Sequence, residues 1–97
     1  MKSNRIRAVI ADDEALARKF IRQMLKDEPD VEIIGECANG KEAVSMIRSE
    51  KPDLIFLDVS LPGLSGFEVV RGIRHQPEIV FTTAYDRRYP KDRTLAD

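Results

Sequence analysis

The sequence predicts an α/β domain built on a parallel sheet, and three observations predict it. Short apolar runs recur along the chain, chiefly Ile6–Ala11, Leu54–Leu57 and Ile79–Phe81. The segments between the runs carry helical spacing of apolar residues. Two of the runs end on carboxylates, at Asp12 and Asp58. Repeated strand–helix–strand units imply parallel strands with right-handed crossovers. Ligands of such sheets bind just outside the carboxyl ends of the strands, which is where these acids fall.

Taken in order, Ile6–Ala11 reads as a strand and runs into Asp12, Asp13 and Glu14. One or two of these acids suit the cap and first turn of a helix, whereas three in a row exceed what capping asks for. From Asp13 to about Lys26 the period is helical. Leu16, Phe20 and Met24 share one face, with Ala17, Ile21 and Leu25 beside them. Arg18, Lys19, Arg22 and Lys26 read as a solvated face, and Pro29 closes the segment. Val31–Ala38 carries Glu32 and Glu36 among its apolar residues, which suits an edge strand. Asn39-Gly40 is a turn, and Lys41–Ser49 a second helix with Ala43, Val44 and Ile47 inward.

Leu54–Leu57, four apolar residues in a row, is expected to be buried on both faces. It exits on Asp58, and Pro62-Gly63 turns the chain. Ser65 is placed to cap a third helix reaching about His75, with Phe67, Val70 and Ile73 inward and Val69 adjacent. Pro77 ends it. Ile79–Phe81 is expected to be a further buried strand, leading into Thr82-Thr83-Ala84-Tyr85. Residues 87–97 are expected to form a charged tail, because they hold too few apolar side chains for another buried element.

The bulk numbers are those of one small globular domain: 97 residues, 42% hydrophobic and 34% charged. With 16 Lys and Arg against 17 Asp and Glu, the net charge is -1. That gives no electrostatic basis for direct nucleic-acid binding or for an anionic membrane surface. Cys37 is the single cysteine, which excludes an internal disulfide and fits a cytoplasmic setting. No apolar run approaches the ~20 residues of a spanning helix. Met1–Arg7 lacks the apolar stretch of a signal peptide.

If the first and third strands are neighbours, Asp12, Asp13 and Asp58 converge. Several carboxylates within a few ångströms repel one another, which raises a pKa or calls for a cation. Mg²⁺ is the hard, oxygen-seeking ion usual where phosphate is handled. A carboxylate can act as nucleophile towards a phosphoryl group and become an aspartyl phosphate. Thr83 follows the last strand, where its hydroxyl would reach a phosphoryl oxygen.

These residues resemble the receiver domain of two-component response regulators. The matching motifs are Ala11-Asp12-Asp13-Glu14, the stretch Asp58-Val59-Ser60-Leu61-Pro62-Gly63-Leu64-Ser65-Gly66, and Phe81-Thr82-Thr83-Ala84-Tyr85. The resemblance spans residues 5 to about 86, so a receiver portion is expected over residues 1–86. Thr82-Thr83-Ala84-Tyr85-Asp86 and Glu14-Ala15-Leu16-Ala17-Arg18 look most similar to the LytTR (LytR/AlgR-type) group.

The resemblance implies a flavodoxin-like (CheY-like) fold with sheet order 2-1-3-4, lacking the fifth strand and last helices of the family. It implies Asp58 as phosphoacceptor for a histidine kinase, with transcription regulation as the output of the pathway. Asp13 would hold Mg²⁺ directly, Asp12 through water, and the Ser60 backbone carbonyl and Asp58 would complete the protein ligands. Thr83 would be the switch hydroxyl, and Tyr85 would lie in a loop used for partner contacts.

The residues after Asp86 resemble no receiver element, and Lys91 is out of context for the lysine that pairs with the phosphoryl group. The open edge and uncovered face then expected favour a homodimer. A second reading is a non-switching dimerisation or protein-interaction module. A phosphohydrolase fits poorly, since no second Asp stands two residues after Asp58, and the chain is read as a non-enzyme.

Overall fold

A computed structural model describes residues 5–58, 60–63, 66–72, 74 and 76–82. Four parallel strands are present among them: β1 (Ile6–Ala11), β2 (Val31–Cys37), β3 (Leu54–Leu57) and β4 (Glu78–Phe81). Their order is β2-β1-β3-β4, as the resemblance implies. The crossovers carry α1 (Ala15–Leu25), α2 (Gly40–Glu50) and α3 (Gly66–Arg71). None of the described helices is long and apolar enough to cross a membrane. The expected segment 87–97, together with Ser65, Ile73, His75, Thr83, Tyr85 and Lys91, lies outside the described residues.

Side chains alternate across the strands, so each register row belongs to one face of the sheet. Val9, Ile55 and Ile79 form one row, and Ile10, Phe56 and Val80 form the next. The first row lies under α2 and α3, where Val9, Ala11, Ala43, Val44, Ile47, Ile55, Leu57 and Val69 make the core. The centre of the α3 face is Val69, fully buried, rather than Val70, which is only partly covered.

α2 begins on Asn39, whose side chain accepts the Glu42 N–H, and ends on Lys51 in the left-handed region at φ 45°. β2 is an edge strand, as its two glutamates suggest. Its register with β1 slips between Ala8 and Val9, which leaves Ile34 as an extra residue. Next to it, a Cβ on Gly35 would lie 2.6 Å from the Met46 sulfur, so a side chain there would have to displace the end of Met46.

Two expectations differ from the structure. α1 does not bury Leu16, Phe20 and Met24; Ile21 is the buried residue of the helix and Ala17 is half-buried. The apolar band is wide enough to dock in either rotation, and the smaller edge faces the sheet. β4 is not a buried strand like β3: among the described residues it pairs on one side, and Val80 and Phe81 are exposed, which agrees instead with the open edge also expected. Its apolar composition reports a capacity for burial that the described residues do not fill.

Candidate functional site

The strand ladders carry two aspartates to one place. The Asp12 N–H donates to the Cys37 carbonyl at 3.0 Å, and the Asp58 N–H donates to the Ala11 carbonyl at 3.0 Å. Each acid is therefore the first residue beyond its strand, still pinned by the sheet's own hydrogen-bond pattern. β1 and β3 are neighbours, so the two side chains meet, and Asp13 joins them from the next position of the loop. Carboxylate oxygens of Asp12, Asp13 and Asp58 lie within 4.8 Å of one another. Asp12 is 4% and Asp58 5% exposed, while Asp13 is exposed.

The loops around them are fixed by short local bonds. Asp12 Oδ1 accepts the Glu14 N–H at 2.9 Å. Asp58 Oδ1 accepts both the Ser60 N–H and the Ser60 hydroxyl, each at 3.0 Å. The Gly40 N–H donates to the Pro62 carbonyl, tying the loop after β3 to the start of α2. Neither Asp12 nor Asp13 is the N-cap of α1. That position is Glu14, which makes no capping bond with its side chain, so helix capping does not account for the acids.

The donor set is made of carboxylate oxygens, two of the three groups being almost fully buried. Such a set suits a small hard cation, which takes one or two carboxylates and completes its shell with carbonyl oxygen and water. Mg²⁺ fits the residues present.

Three features escape a reading of the sequence. Arg18 is not on a solvated face: its Nη1 donates to the Asp12 carbonyl at 2.7 Å and its Nε to Glu36 at 3.0 Å. Arg22 also pairs with Glu36. The hydrogen bond from Arg22, reinforced by Arg18, holds the Glu36 carboxyl below its ordinary range against the opposing effect of partial burial. Thr82, one residue before the expected switch threonine, has a buried hydroxyl with no hydrogen-bond partner among the described residues. It shares with Asp12 the end of a groove of about 660 Å³ that runs along Leu16, Phe20, Ile21 and Met24. Of these, only the arginines carried a signal in the sequence, their helical spacing after Asp12, and their partner on β2 is distant in the chain.

The model of the response regulator receiver domain matches residues 8–95. The chain belongs to that family. It is 46% identical over 83 residues to the transcriptional regulatory protein BtsR of Salmonella typhi, covering 84% of this chain and 35% of BtsR. The chain thus spans about a third of the length of that curated relative. Among solved structures, it is similar to the response regulator domain of Thermotoga maritima CheB. The TM-score is 0.73 at 27% identity, over 95% of this chain and 72% of the other. A DNA-binding response regulator of the LuxR family from Staphylococcus aureus gives the same TM-score at 28% identity, over 95% of this chain and 80% of the other.

Proposed function

We propose that this receiver domain accepts a phosphoryl group on Asp58 from a histidine kinase. The observation that carries the reading is the convergence of Asp12, Asp13 and Asp58 at the carboxyl ends of β1 and β3. An Asp58 carboxylate oxygen attacks phosphorus, the P–N bond to the kinase imidazole breaks, and an acyl phosphate forms on Asp58. Ser60 orients the nucleophile by holding its Oδ1 with two donors.

Asp13 and Asp12, with the Ser60 carbonyl and Asp58 itself, would hold Mg²⁺. The ion supplies charge neutralisation for the phosphoryl oxygens. Thr83 is the hydroxyl that follows the phosphoryl group. The BtsR relative, named as a transcriptional regulator, supports transcription regulation as the pathway output. The strings Thr82–Asp86 and Glu14–Arg18 support the LytTR group, and the cytoplasm is the corresponding location. In this reading residues 1–86 are the receiver portion and 87–97 the charged tail.

Intact-mass analysis after acetyl phosphate and Mg²⁺ tests the reading. Wild type should gain one phosphoryl mass, and Asp58→Asn should gain none. No gain in wild type would overturn it.

A second reading, a non-switching dimerisation or protein-interaction module, is favoured by one observation. Leu16, Phe20 and Met24 on α1 are 77%, 62% and 55% exposed, and Val80 at the sheet edge is 44% exposed. Apolar patches of this kind mark interfaces, and a homodimer through this face or edge is the form proposed. Light scattering that gives a monomer at every concentration would remove it.

A further inference from the structure

We propose that Arg18 is a positioning residue for the acidic site. By donating to the Asp12 main-chain carbonyl while anchored on Glu36, it fixes the loop that presents Asp12 and Asp13 to Mg²⁺. The inference rests on the metal reading above and adds a residue to it.

The loop between β1 and α1 is held at several points. Asp12 is held at its N–H by β2 and through Oδ1 by the Glu14 N–H. α1 starts without a side-chain cap. At the carbonyl of Asp12 the described contact is Arg18 Nη1, at 2.7 Å. The planar guanidinium suits this task, because Nε and Nη1 point to different partners in a fixed geometry. Nε is taken by Glu36 on β2, at 3.0 Å, so the edge strand serves as the anchor and the loop as the load. Among the described contacts Arg22 reaches Glu36 and not the Asp12 carbonyl.

Charge and geometry predict opposite signs here, which makes the inference testable. A cation beside the site repels Mg²⁺, so if Arg18 acted through charge alone, its removal would tighten metal binding. If it acts by positioning, its removal loosens the loop and weakens binding. Groups that orient metal ligands from outside the coordination shell are commonly worth about tenfold or more in affinity.

The test is an Mg²⁺ titration of the chain followed by backbone amide NMR, on wild type, Arg18→Gln, Arg18→Lys and Arg22→Gln. Arg18→Gln should weaken Mg²⁺ binding by about tenfold, while amide shifts around Ile55 and Ile47 stay native. Arg18→Lys keeps the charge but reaches one partner at a time, and should weaken binding by about threefold. Arg22→Gln, which loses a cation without touching Asp12, should bind as well as wild type or better. Binding by Arg18→Gln as tight as wild type, or tighter, overturns the inference. Should that variant fail to fold, unchanged affinity in Arg18→Lys overturns it. A wild type that shows no Mg²⁺-dependent shifts overturns the metal reading itself and this inference with it. A wild type that binds while Arg18→Gln is unaffected overturns the inference alone.

Discussion

The two faces of the sheet are made from similar residues and held in different ways. Under α2 and α3, the strands contribute Val9, Ala11, Ile55 and Leu57, all fully buried, and the helices answer with Ala43, Ile47 and Val69. On the α1 side, the row Ile10, Phe56 and Val80 passes from fully buried to exposed across the sheet. Ile21 is the one α1 side chain that is buried, and Leu16, Phe20 and Met24 point away. That helix is fastened by Arg18 and Arg22 to Glu36 and by Arg18 to the Asp12 carbonyl. One face is close-packed hydrocarbon, and the other is a thin apolar contact with charged clamps at its margin. The loop that carries Asp12 and Asp13 belongs to the second face, where small rearrangements disturb the least packing.

The largest expected effect tests the packed face. Ile55→Ala removes buried methyl groups from a site walled by α2 and α3, and should cost roughly 3 kcal/mol in urea unfolding. Phe20→Ala should change stability by no more than about 0.5 kcal/mol, since the ring is mostly in water. Equal losses from the two substitutions would break the comparison. Cys37 offers a second readout of the packed side. Burial pushes its thiol up to about 11, and the group points at the Ile10 carbonyl. Alkylation at pH 8 should therefore be slow in wild type and faster in Ile55→Ala, as followed by intact mass.

A smaller effect lies at the top of the sheet, where the strand ends gather charge. Without metal, three carboxylates within 4.8 Å repel one another. Asp58→Asn keeps an acceptor for Ser60 and removes one charge, and should raise stability by roughly 1 kcal/mol in EDTA. Saturating Mg²⁺ should shrink the difference, because the ion stabilises the wild type by binding to its folded state. Thermal melts in both buffers check the sign. A destabilised Asp58→Asn in EDTA would mean that the site is dominated by hydrogen bonding rather than by repulsion.

How far each region was legible in the sequence follows the same division. The strands β1 and β3 and their exit acids could be read directly, because an apolar run ending on Asp is a local pattern. The packed face followed, since Ala43, Val44 and Ile47 sit at helical spacing beside a glycine turn. The α1 side was not legible. Leu16, Phe20 and Met24 form as good a stripe as Ala17 and Ile21, and spacing cannot say which faces the sheet. Arg18 and Arg22 look solvated until β2 brings Glu36 to them, a contact 18 and 14 residues apart in the chain. The slip at Ile34 is likewise not marked by any run of residues.

The clamp itself gives the smallest effect and the sharpest test of what holds α1. Hydrogen bonding from Arg22, then Arg18, lowers the Glu36 carboxyl from its ordinary value of 4.5 in the folded protein. A depressed carboxyl contributes stability that is fully present above its unfolded value and lost as pH falls through the folded one. The window therefore opens near pH 4.5 and extends below it. In Glu36→Gln this contribution is absent, so wild type should be the more stable protein by about 0.5 to 1 kcal/mol at pH 7. The two stability curves should converge as pH falls below the folded value. The two proteins differ only at Glu36, so the difference between the curves isolates the clamp. Raised salt should narrow the gap at pH 7 without removing it, because the pair is only partly exposed. A pH-independent difference would assign the role of Glu36 to packing against the edge strand. The α1 side would then be held in the same way as the other face.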